Sequence, residues 1–226
     1  MNERVLMSRD GPKQRIFAQL AEIAAALGHP HRLEILELIA QGERCVEDLA
    51  AVTGLSLANA SRHLQVLRRA RLAEPRRDGK RMLYSLVSET DVIALLASLG
   101  RVGERNVAEI GRVMDAYFRA RDAMEPVART ALLERLREGH TTLLDVRPAD
   151  EFALGHLPGA VNIPLDRLDT ILAGLPPDHA VIAYCRGPYC ILSFEAVARL
   201  RSCGVEAYRL EDGYPEWRAA GLPVEG

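Results

Sequence analysis

The spacing of apolar residues changes part-way along this chain, and the change limits the folds that it can adopt. From Lys13 to about residue 120, apolar residues recur every three or four positions, which is the period of an amphipathic helix. From Thr142 onward, short apolar runs alternate with helical segments, a pattern typical of a parallel sheet covered by helices. The 226 residues therefore predict two domains, a mainly helical one over residues 1–120 and an α/β one over residues 121–226.

Charge divides the chain in the same way. Residues 1–120 hold 18 Lys and Arg against 15 Asp and Glu, and residues 121–226 hold 11 against 16, so the net charge of −2 is the sum of +3 and −5. Residues 62–81 carry eight basic side chains against Glu74 and Asp78, which predicts a polyanionic partner. No apolar stretch approaches the roughly 20 residues that span a bilayer, and residues 1–13 do not resemble a signal peptide. We therefore expect a cytoplasmic protein without a membrane partner.

The first domain has the pattern of a helix-turn-helix. Helices are expected over Lys13–Leu27, His31–Ala40, Val46–Val52 and Leu57–Ala70, with a tight turn at Thr53-Gly54-Leu55 and Ser56 as the N-cap of the last helix. On that helix Leu57, Ala60, Leu64 and Leu67 are expected to pack inward. Side chains suited to base edges and phosphates are left on its outer face, namely Ser56, Asn59, Ser61, Arg62, His63 and Gln65.

A basic hairpin is expected to follow this helix. The segments Leu72–Glu74 and Met82–Leu86 read as strands, and Asp78-Gly79 between them favours a hairpin turn. A basic hairpin in this position would be a wing whose cations neutralise DNA phosphates. The residues concerned are Arg76, Arg77, Lys80 and Arg81.

Residues 13–120 resemble the ArsR/SmtB family of winged-helix repressors. The stretches that carry the resemblance are LGHPHRLEIL at 27–36, LSLANASRHLQVL at 55–67, and Gly79-Lys80-Arg81 through Leu86. The resemblance implies an all-α winged helix-turn-helix domain with a β-hairpin wing, acting as a homodimer on a double-stranded DNA operator until an inducer binds. Helical periodicity continues from Val92 to Tyr117, and this long stretch is expected to supply the dimer surface.

The metal sites of that family are largely missing here. Its arsenic and cadmium sensors carry two cysteines in the third helix, but in this chain Glu47 replaces the second thiol beside Cys45. Residues 88–120 contain no His, whereas the zinc-sensing members bind metal through the last helix. Because a thiophilic ion needs two or three thiolates, we expect no metal site. We also expect no cofactor. Cys45 is then either a buried small residue or a sensor thiol.

A thiol is expected at the end of a buried strand in the second domain. The strand Val181–Tyr184 is followed at once by Cys185, then by Arg186, Gly187, Pro188, Tyr189 and Cys190, and then by the helix Ile191–Ser202. The carboxyl end of a parallel strand is where open α/β sheets place ligands, and a helix N-terminus stabilises an anion. Both effects lower the pKa of a thiol, and Arg186 adds positive charge. The alternative is a buried structural cysteine.

Residues 130–226 resemble a single rhodanese domain. The motifs are LDVR at 144–147, Glu151-Phe152, GHLPGAVNIP at 155–164, DGYPEWR at 212–218 and AGLP at 220–223. The resemblance implies an α/β fold with a parallel sheet and a catalytic loop that consists of Cys185, Arg186, Gly187, Pro188, Tyr189 and Cys190. Cys185 would take sulfur from a small sulfane donor such as thiosulfate, polysulfide or a persulfide, and pass it to an acceptor.

The loop departs from the rhodanese pattern at its sixth position, where the family has Arg or Thr and this chain has Cys190. The second thiol either resolves a persulfide on Cys185 by bonding to it, or points into the helix packing. Asp145 and Arg147 are expected to form a buried ion pair that supports the loop. His156 is expected to fix a loop by hydrogen bonding and not to act as a general base.

The whole arrangement resembles an ArsR-type regulator fused to a rhodanese domain. It predicts a DNA-binding transcriptional repressor whose second domain forms a persulfide and transfers or senses sulfane sulfur. One alternative is a sulfurtransferase whose first domain only dimerises. Another is a thiol-based arsenite or metal sensor acting through Cys45.

Overall fold

The computed structural model describes residues 11–120, 126–168 and 179–226, and the chain divides after Ser88 into two units. The helix that follows the wing belongs to the second unit, whereas the sequence prediction grouped it with the first domain. No helix in the described ranges is long and apolar enough to cross a membrane.

Four helices build the first unit. They are α1 (Pro12–Leu27), α2 (Pro30–Ala40), α3 (Val46–Thr53) and α4 (Leu57–Arg69), each within one or two residues of the predicted bounds. The core lies between α2 and α4, where Ile35, Leu36, Leu64 and Leu67 are fully buried. Gly54 follows α3 in the left-handed region, at a φ of 67°, which a glycine adopts without steric cost.

The wing is a three-stranded antiparallel sheet in the order β1-β3-β2. Its strands are β1 (Arg44–Cys45), β2 (Ala73–Asp78) and β3 (Arg81–Leu86). The hairpin is longer than predicted, because Pro75 is tolerated on the edge strand β2 and pairing continues to Asp78 opposite Arg81. The strand β1 was not predicted, since two residues show no period.

The second unit begins with an interrupted helical stretch. It consists of α5 (Glu89–Asn106), α6 (Ala108–Val113) and a π-helical turn over Met114–Arg119. The prediction of one long helix was wrong at Val107, whose φ of −111° and ψ of 101° are extended. The predicted end of that helix at Glu125-Pro126 lies partly outside the described residues.

The rest of the second unit is a four-stranded sheet in the order β5-β4-β6-β7. Its strands are parallel, as predicted. The strands are β4 (Thr141–Asp145), β5 (Val161–Asn162), β6 (Ala180–Tyr184) and β7 (Ala207–Arg209). The helices are α7 (Arg129–Glu138), α8 (Ala149–Phe152), α9 (Ile191–Ser202) and α10 (Tyr214–Ala219), with a 3-10 turn at Leu165–Arg167.

Both faces of this sheet are apolar. Neighbouring residues of one strand, such as Ile182 and Ala183 on β6, belong to different buried clusters, because successive side chains point to opposite faces. One cluster contains Val197 of α9, and the other contains Leu132 of α7 and Trp217 of α10. The sheet is therefore covered on two sides, and its strand ends carry the thiol loop.

Candidate functional site

The exposed face of α4 carries most of the side chains predicted to read DNA. The Ser56 hydroxyl accepts a hydrogen bond from the Asn59 amide at 3.3 Å, which confirms it as the N-cap. Asn59, Arg62 and Gln65 are exposed, and Ser61 is partly buried. These polar groups share one helix face, which suits hydrogen bonding in the major groove.

Two residues of α4 do not lie where they were predicted. Leu57 is 52% exposed and takes no part in the core. His63 is partly buried against α2, with its ring 4.5 Å from that of His29 and 6.0 Å from that of His31. Burial of His63, together with the positive charge of its neighbours, lowers its pKa. Helical spacing places His63 at the edge of the apolar face of α4. Its ring packs against α2 and does not point to solvent.

The cations of the wing differ in what they bind. Arg76, predicted to contact phosphate, forms a bidentate ion pair with Glu43 through Nε at 2.9 and 3.1 Å and through Nη2. This hydrogen bonding lowers the pKa of Glu43. The Nε of Arg77 donates to the carbonyl of Gly79 at 3.1 Å and orders the hairpin tip. Lys80 and Arg81 are exposed beside it. Arg76 is thus bound by a carboxylate, whereas Arg77, Lys80 and Arg81 lie exposed at the tip of the hairpin.

Cys45 is a buried residue at the start of α3. Its sulfur accepts a hydrogen bond from the Asp48 amide at 3.5 Å, so the thiol caps the helix. Burial raises the pKa of the Cys45 thiol, and the nearby acidic groups act in the same direction. Both effects favour the neutral thiol, which fits the prediction of a buried small residue.

Cys185 and Cys190 meet at the carboxyl end of β6. They are joined by a disulfide with their Cα atoms 6.2 Å apart, within the range usual for such bonds. Cys185 is 2% exposed, and both residues belong to the buried cluster that includes α9. Cys190 is thus both bonded to Cys185 and packed in this cluster, and its role in resolving a persulfide stays a prediction. Gly187 and Pro188 make the turn between them, in which the Cys190 amide donates to the Gly187 carbonyl at 3.1 Å.

Arg186 does not stand beside the thiol as an unneutralised cation, as its position next to Cys185 had suggested. Its guanidinium binds the buried carboxylate of Glu151 on α8, with Nε at 2.9 and 3.1 Å and Nη2 at 2.7 Å. Glu151 was recognised only as part of a motif. Its role depends on a partner 35 residues away, which no local pattern reveals.

The predicted ion pair of Asp145 and Arg147 is present and completely buried. Arg147 binds both carboxylate oxygens and also donates to the Gly155 carbonyl at 2.8 Å. Its guanidinium lies 4.4 Å from the ring of Tyr214 and 5.7 Å from that of Tyr184, the residue before Cys185. The pair therefore packs beside the strand that leads into the thiol loop.

The turn before α10 also supports the loop. The Tyr214 amide donates to the Cys185 carbonyl at 3.0 Å, and a Cβ on Gly213 would overlap the backbone of Arg186 and Gly187. Gly213 and Tyr214 were seen in the sequence only as part of the rhodanese resemblance. His156 bonds the Phe152 carbonyl at 3.1 Å, and its backbone pairs with Glu225. Its loop-fixing role stays a prediction.

Two family models match the chain, "Bacterial regulatory protein, arsR family" over residues 29–74 and "Rhodanese-like domain" over residues 128–220. The HTH-type transcriptional regulator Rv0324 of Mycobacterium tuberculosis is 43% identical over 214 residues, which cover 94% of this chain and 93% of the relative. The chain belongs to the arsR family of transcriptional regulators. This regulator also carries a rhodanese-like domain at its C-terminal end.

Solved structures resemble each half of the regulator separately. One is the homodimeric winged helix-turn-helix DNA-binding domain of Mb0332 from Mycobacterium bovis, at 39% identity and a TM-score of 0.41, covering 44% of this chain and 92% of that one. Another is a rhodanese-related protein from Thermoplasma volcanium, at 26% identity and a TM-score of 0.41. The match covers 45% of this chain and 98% of that one.

Proposed function

We propose that this arsR-family regulator represses transcription from a double-stranded operator and that its rhodanese-like domain senses sulfane sulfur through Cys185 and Cys190. The observation that carries the proposal is the cysteine pair itself. Two thiols that can bond to each other lie in the loop that resembles a rhodanese active site, where the family has a single cysteine. Such a pair can form a disulfide bond when it reacts with sulfane sulfur.

The chemistry needs only a donor and the two thiols. The Cys185 thiolate attacks the sulfane sulfur of a donor RSSH, the S–S bond of the donor breaks, and RS⁻ leaves and takes up a proton. The Cys190 thiolate then attacks Sγ of the resulting persulfide, and the outer sulfur leaves as hydrosulfide. In sum, RSSH and two thiols give the disulfide, RSH and H₂S. The sulfane sulfur gains the two electrons that the thiols lose, and a cellular dithiol would reset the pair.

The loop favours persulfides and polysulfides over thiosulfate as donors. In the resembling rhodaneses the sixth loop position is Arg or Thr, and here it is Cys190. The guanidinium of Arg186 is engaged by Glu151. A doubly charged anion therefore finds less positive charge at this loop than the rhodanese pattern would provide.

DNA binding is supported by α4 and by the tip of the wing. Asn59, Arg62 and Gln65 share an exposed face, and their side chains can form hydrogen bonds with base edges. Lys80 and Arg81 are exposed on the hairpin, where they can contact phosphates. A sulfurtransferase whose first domain only dimerises would not need this polar face on α4. The relative Rv0324 is an HTH-type transcriptional regulator, which also supports DNA binding.

Apolar side chains left outside the fold support a homodimer. They lie on α1 and α5 at helical spacing, so each set forms a stripe on one side of its helix. The set consists of Ile16, Phe17 and Leu20 on α1 and Leu95, Leu99 and Val102 on α5, between 38% and 59% exposed.

A mobility-shift assay tests the proposal. Duplexes are first selected from a random-sequence pool with the reduced protein, and their affinity is then measured before and after treatment with inorganic polysulfide. We expect treatment to weaken binding at least about fivefold, and Cys185→Ser to abolish the response. In Cys190→Ser a persulfide should accumulate on Cys185, detected by mass spectrometry. The proposal fails if no duplex is selected, or if polysulfide leaves the affinity unchanged.

The same assay separates the alternatives. A sulfurtransferase without DNA binding would form the persulfide but select no duplex. A thiol sensor of arsenite would lose its response in Cys45→Ser and keep it in Cys185→Ser.

A further inference from the structure

Tyr189, the residue before Cys190, reaches from the sulfur loop to helix α5. Its hydroxyl donates a hydrogen bond to Glu104 at 2.5 Å. Burial of the phenol and the nearby carboxylate both raise the pKa of Tyr189, so it stays a neutral donor. Tyr189 is still 40% exposed, so its ring is seated on a surface and not enclosed in a core.

Helix α5 has a notch for this ring at Gly100. A Cβ at Gly100 would come within 2.5 Å of the Tyr189 hydroxyl and 3.3 Å of its ring carbons. A glycine in the interior of a helix weakens that helix, and here it leaves the space that the ring occupies. Gly100 and Glu104 are four residues apart and therefore share one side of α5. We call these two residues the tyrosine seat.

The tyrosine seat lies on a helix that is attached to the domain at a second point. At its first turn, Glu89 binds Arg218 of α10 at 2.7 Å, and the Thr90 hydroxyl donates to the Ala219 carbonyl. The contact of Tyr189 lies about three turns further along. Neither family match includes α5, which falls between residues 74 and 128.

The exposed apolar stripe of α5 lies on the far side from the tyrosine seat. At 3.6 residues per turn, Leu95, Leu99 and Val102 point roughly opposite to Gly100 and Glu104. A tilt or a loosening of α5 at the seat therefore changes how this stripe is presented to a partner.

Building on the proposed function, we infer that Tyr189 transmits the state of the cysteine pair to α5. The disulfide fixes the Cα atoms of Cys185 and Cys190, and with them the position of the adjoining Tyr189. When a dithiol reductant opens the bond, two electrons pass to the sulfurs and each becomes a thiol. The loop is then free to relax, and Tyr189 leaves the seat. The oxidised protein thus holds α5 through Tyr189, and the reduced protein does not.

Hydrogen exchange on the full-length protein tests this directly. Amides of residues 98–106 should exchange more slowly when Cys185 and Cys190 are oxidised than when they are reduced by dithiothreitol. Gly100→Ala, Tyr189→Phe and Glu104→Gln should remove at least half of that difference. Gly111→Ala on α6 is the matched control, since a Cβ there meets no atom within 4 Å, and it should keep the whole difference.

A second readout links the seat to DNA. With duplexes selected from a random pool, the ratio of the Kd of the oxidised protein to that of the reduced protein should fall to within about twofold of 1 in Gly100→Ala. Disulfide formation, followed by mass, should stay normal in that variant. If Gly100→Ala and Tyr189→Phe retain the wild-type exchange difference and Kd ratio, the inference is overturned. If wild-type protein forms no disulfide with polysulfide or selects no DNA, the proposed function has failed instead, and exchange after chemical oxidation still tests the seat.

Discussion

The Arg186 guanidinium forms a bidentate ion pair with the Glu151 carboxylate, and Arg186 directly follows Cys185 of the disulfide in the chain. Glu151 is almost fully buried, and the ion pair compensates for the cost of burying its carboxylate. The pair also withdraws positive charge from the thiol that precedes Arg186. The reactivity of reduced Cys185 should therefore depend on the balance between these two side chains.

Changing either partner should move the reactivity of Cys185 in opposite directions. Glu151→Gln removes the carboxylate that binds the guanidinium and favours the thiolate, so alkylation by iodoacetamide at pH 7 should be faster, by about two- to tenfold. Arg186→Gln should slow it by a similar factor. The rate is read at the Cys185 peptide by mass spectrometry, in a reduced Cys190→Ser background. Equal changes of the same sign in both variants would contradict the charge argument.

Arg147→Ala should destabilise the rhodanese-like domain by about 3–5 kcal/mol, because it leaves the Asp145 carboxylate buried without its partner. Trp217, the single tryptophan, is buried in this domain, so its fluorescence in urea reports the free energy of unfolding. Arg112→Ala breaks an exposed ion pair with Glu109 and should change that free energy by less than about 0.5 kcal/mol. Equal losses in both variants would show that burial of the pair is unimportant.

His63 should make the regulator less stable in mild acid. Its pKa is lowered in the folded chain by burial and by its neighbours His29, Arg32, His31 and Arg62. The unfolded chain therefore binds the proton more readily. The contribution of His63 to stability is fully present above its pKa in the unfolded chain, about 6.5. It is lost as the pH falls from that value through the lower pKa of the folded chain.

Calorimetry at pH 7.5 and 5.5 checks this sign. Wild-type protein should lose more unfolding free energy between the two pH values than His63→Gln, and the comparison cancels groups that titrate in both proteins. A larger loss in His63→Gln would reverse the assignment.

The cations of the wing should contribute unequally to DNA binding. Lys80→Ala should weaken all sequences alike and reduce the slope of log K against log salt by about 1. Arg76→Ala should have a smaller effect, because this guanidinium is already bound to Glu43. Titrations of a selected duplex at several salt concentrations measure both slopes. An equal loss for Arg76→Ala would mean that DNA displaces Glu43.

Features set by local spacing were predictable from the sequence. The Ser56 cap, the bounds of α9 and the Asp145–Arg147 pair each depend on residues within a few positions or on one helical period. Features set by distant partners were not. The partner of Arg76 lies 33 residues away, and the seat of Tyr189 is a glycine and a glutamate 85 or more residues earlier. The turn of His63 toward α2 is decided by packing between helices, which periodicity does not specify.

Gly213→Ala should slow sulfur loading without unfolding the domain. The φ of Gly213 is −94°, which any residue adopts, so the cost of a methyl group is purely steric. It falls on the backbone of Arg186 and Gly187, which must move away and carry Cys185 with them. Since small displacements of a reacting atom are costly, disulfide formation with polysulfide should slow by about 10- to 100-fold. Mass spectrometry of quenched samples gives the rate, Trp217 fluorescence reports the fold, and Gly111→Ala should react like wild type. A wild-type rate in Gly213→Ala would mean that the turn before α10 does not position the thiol.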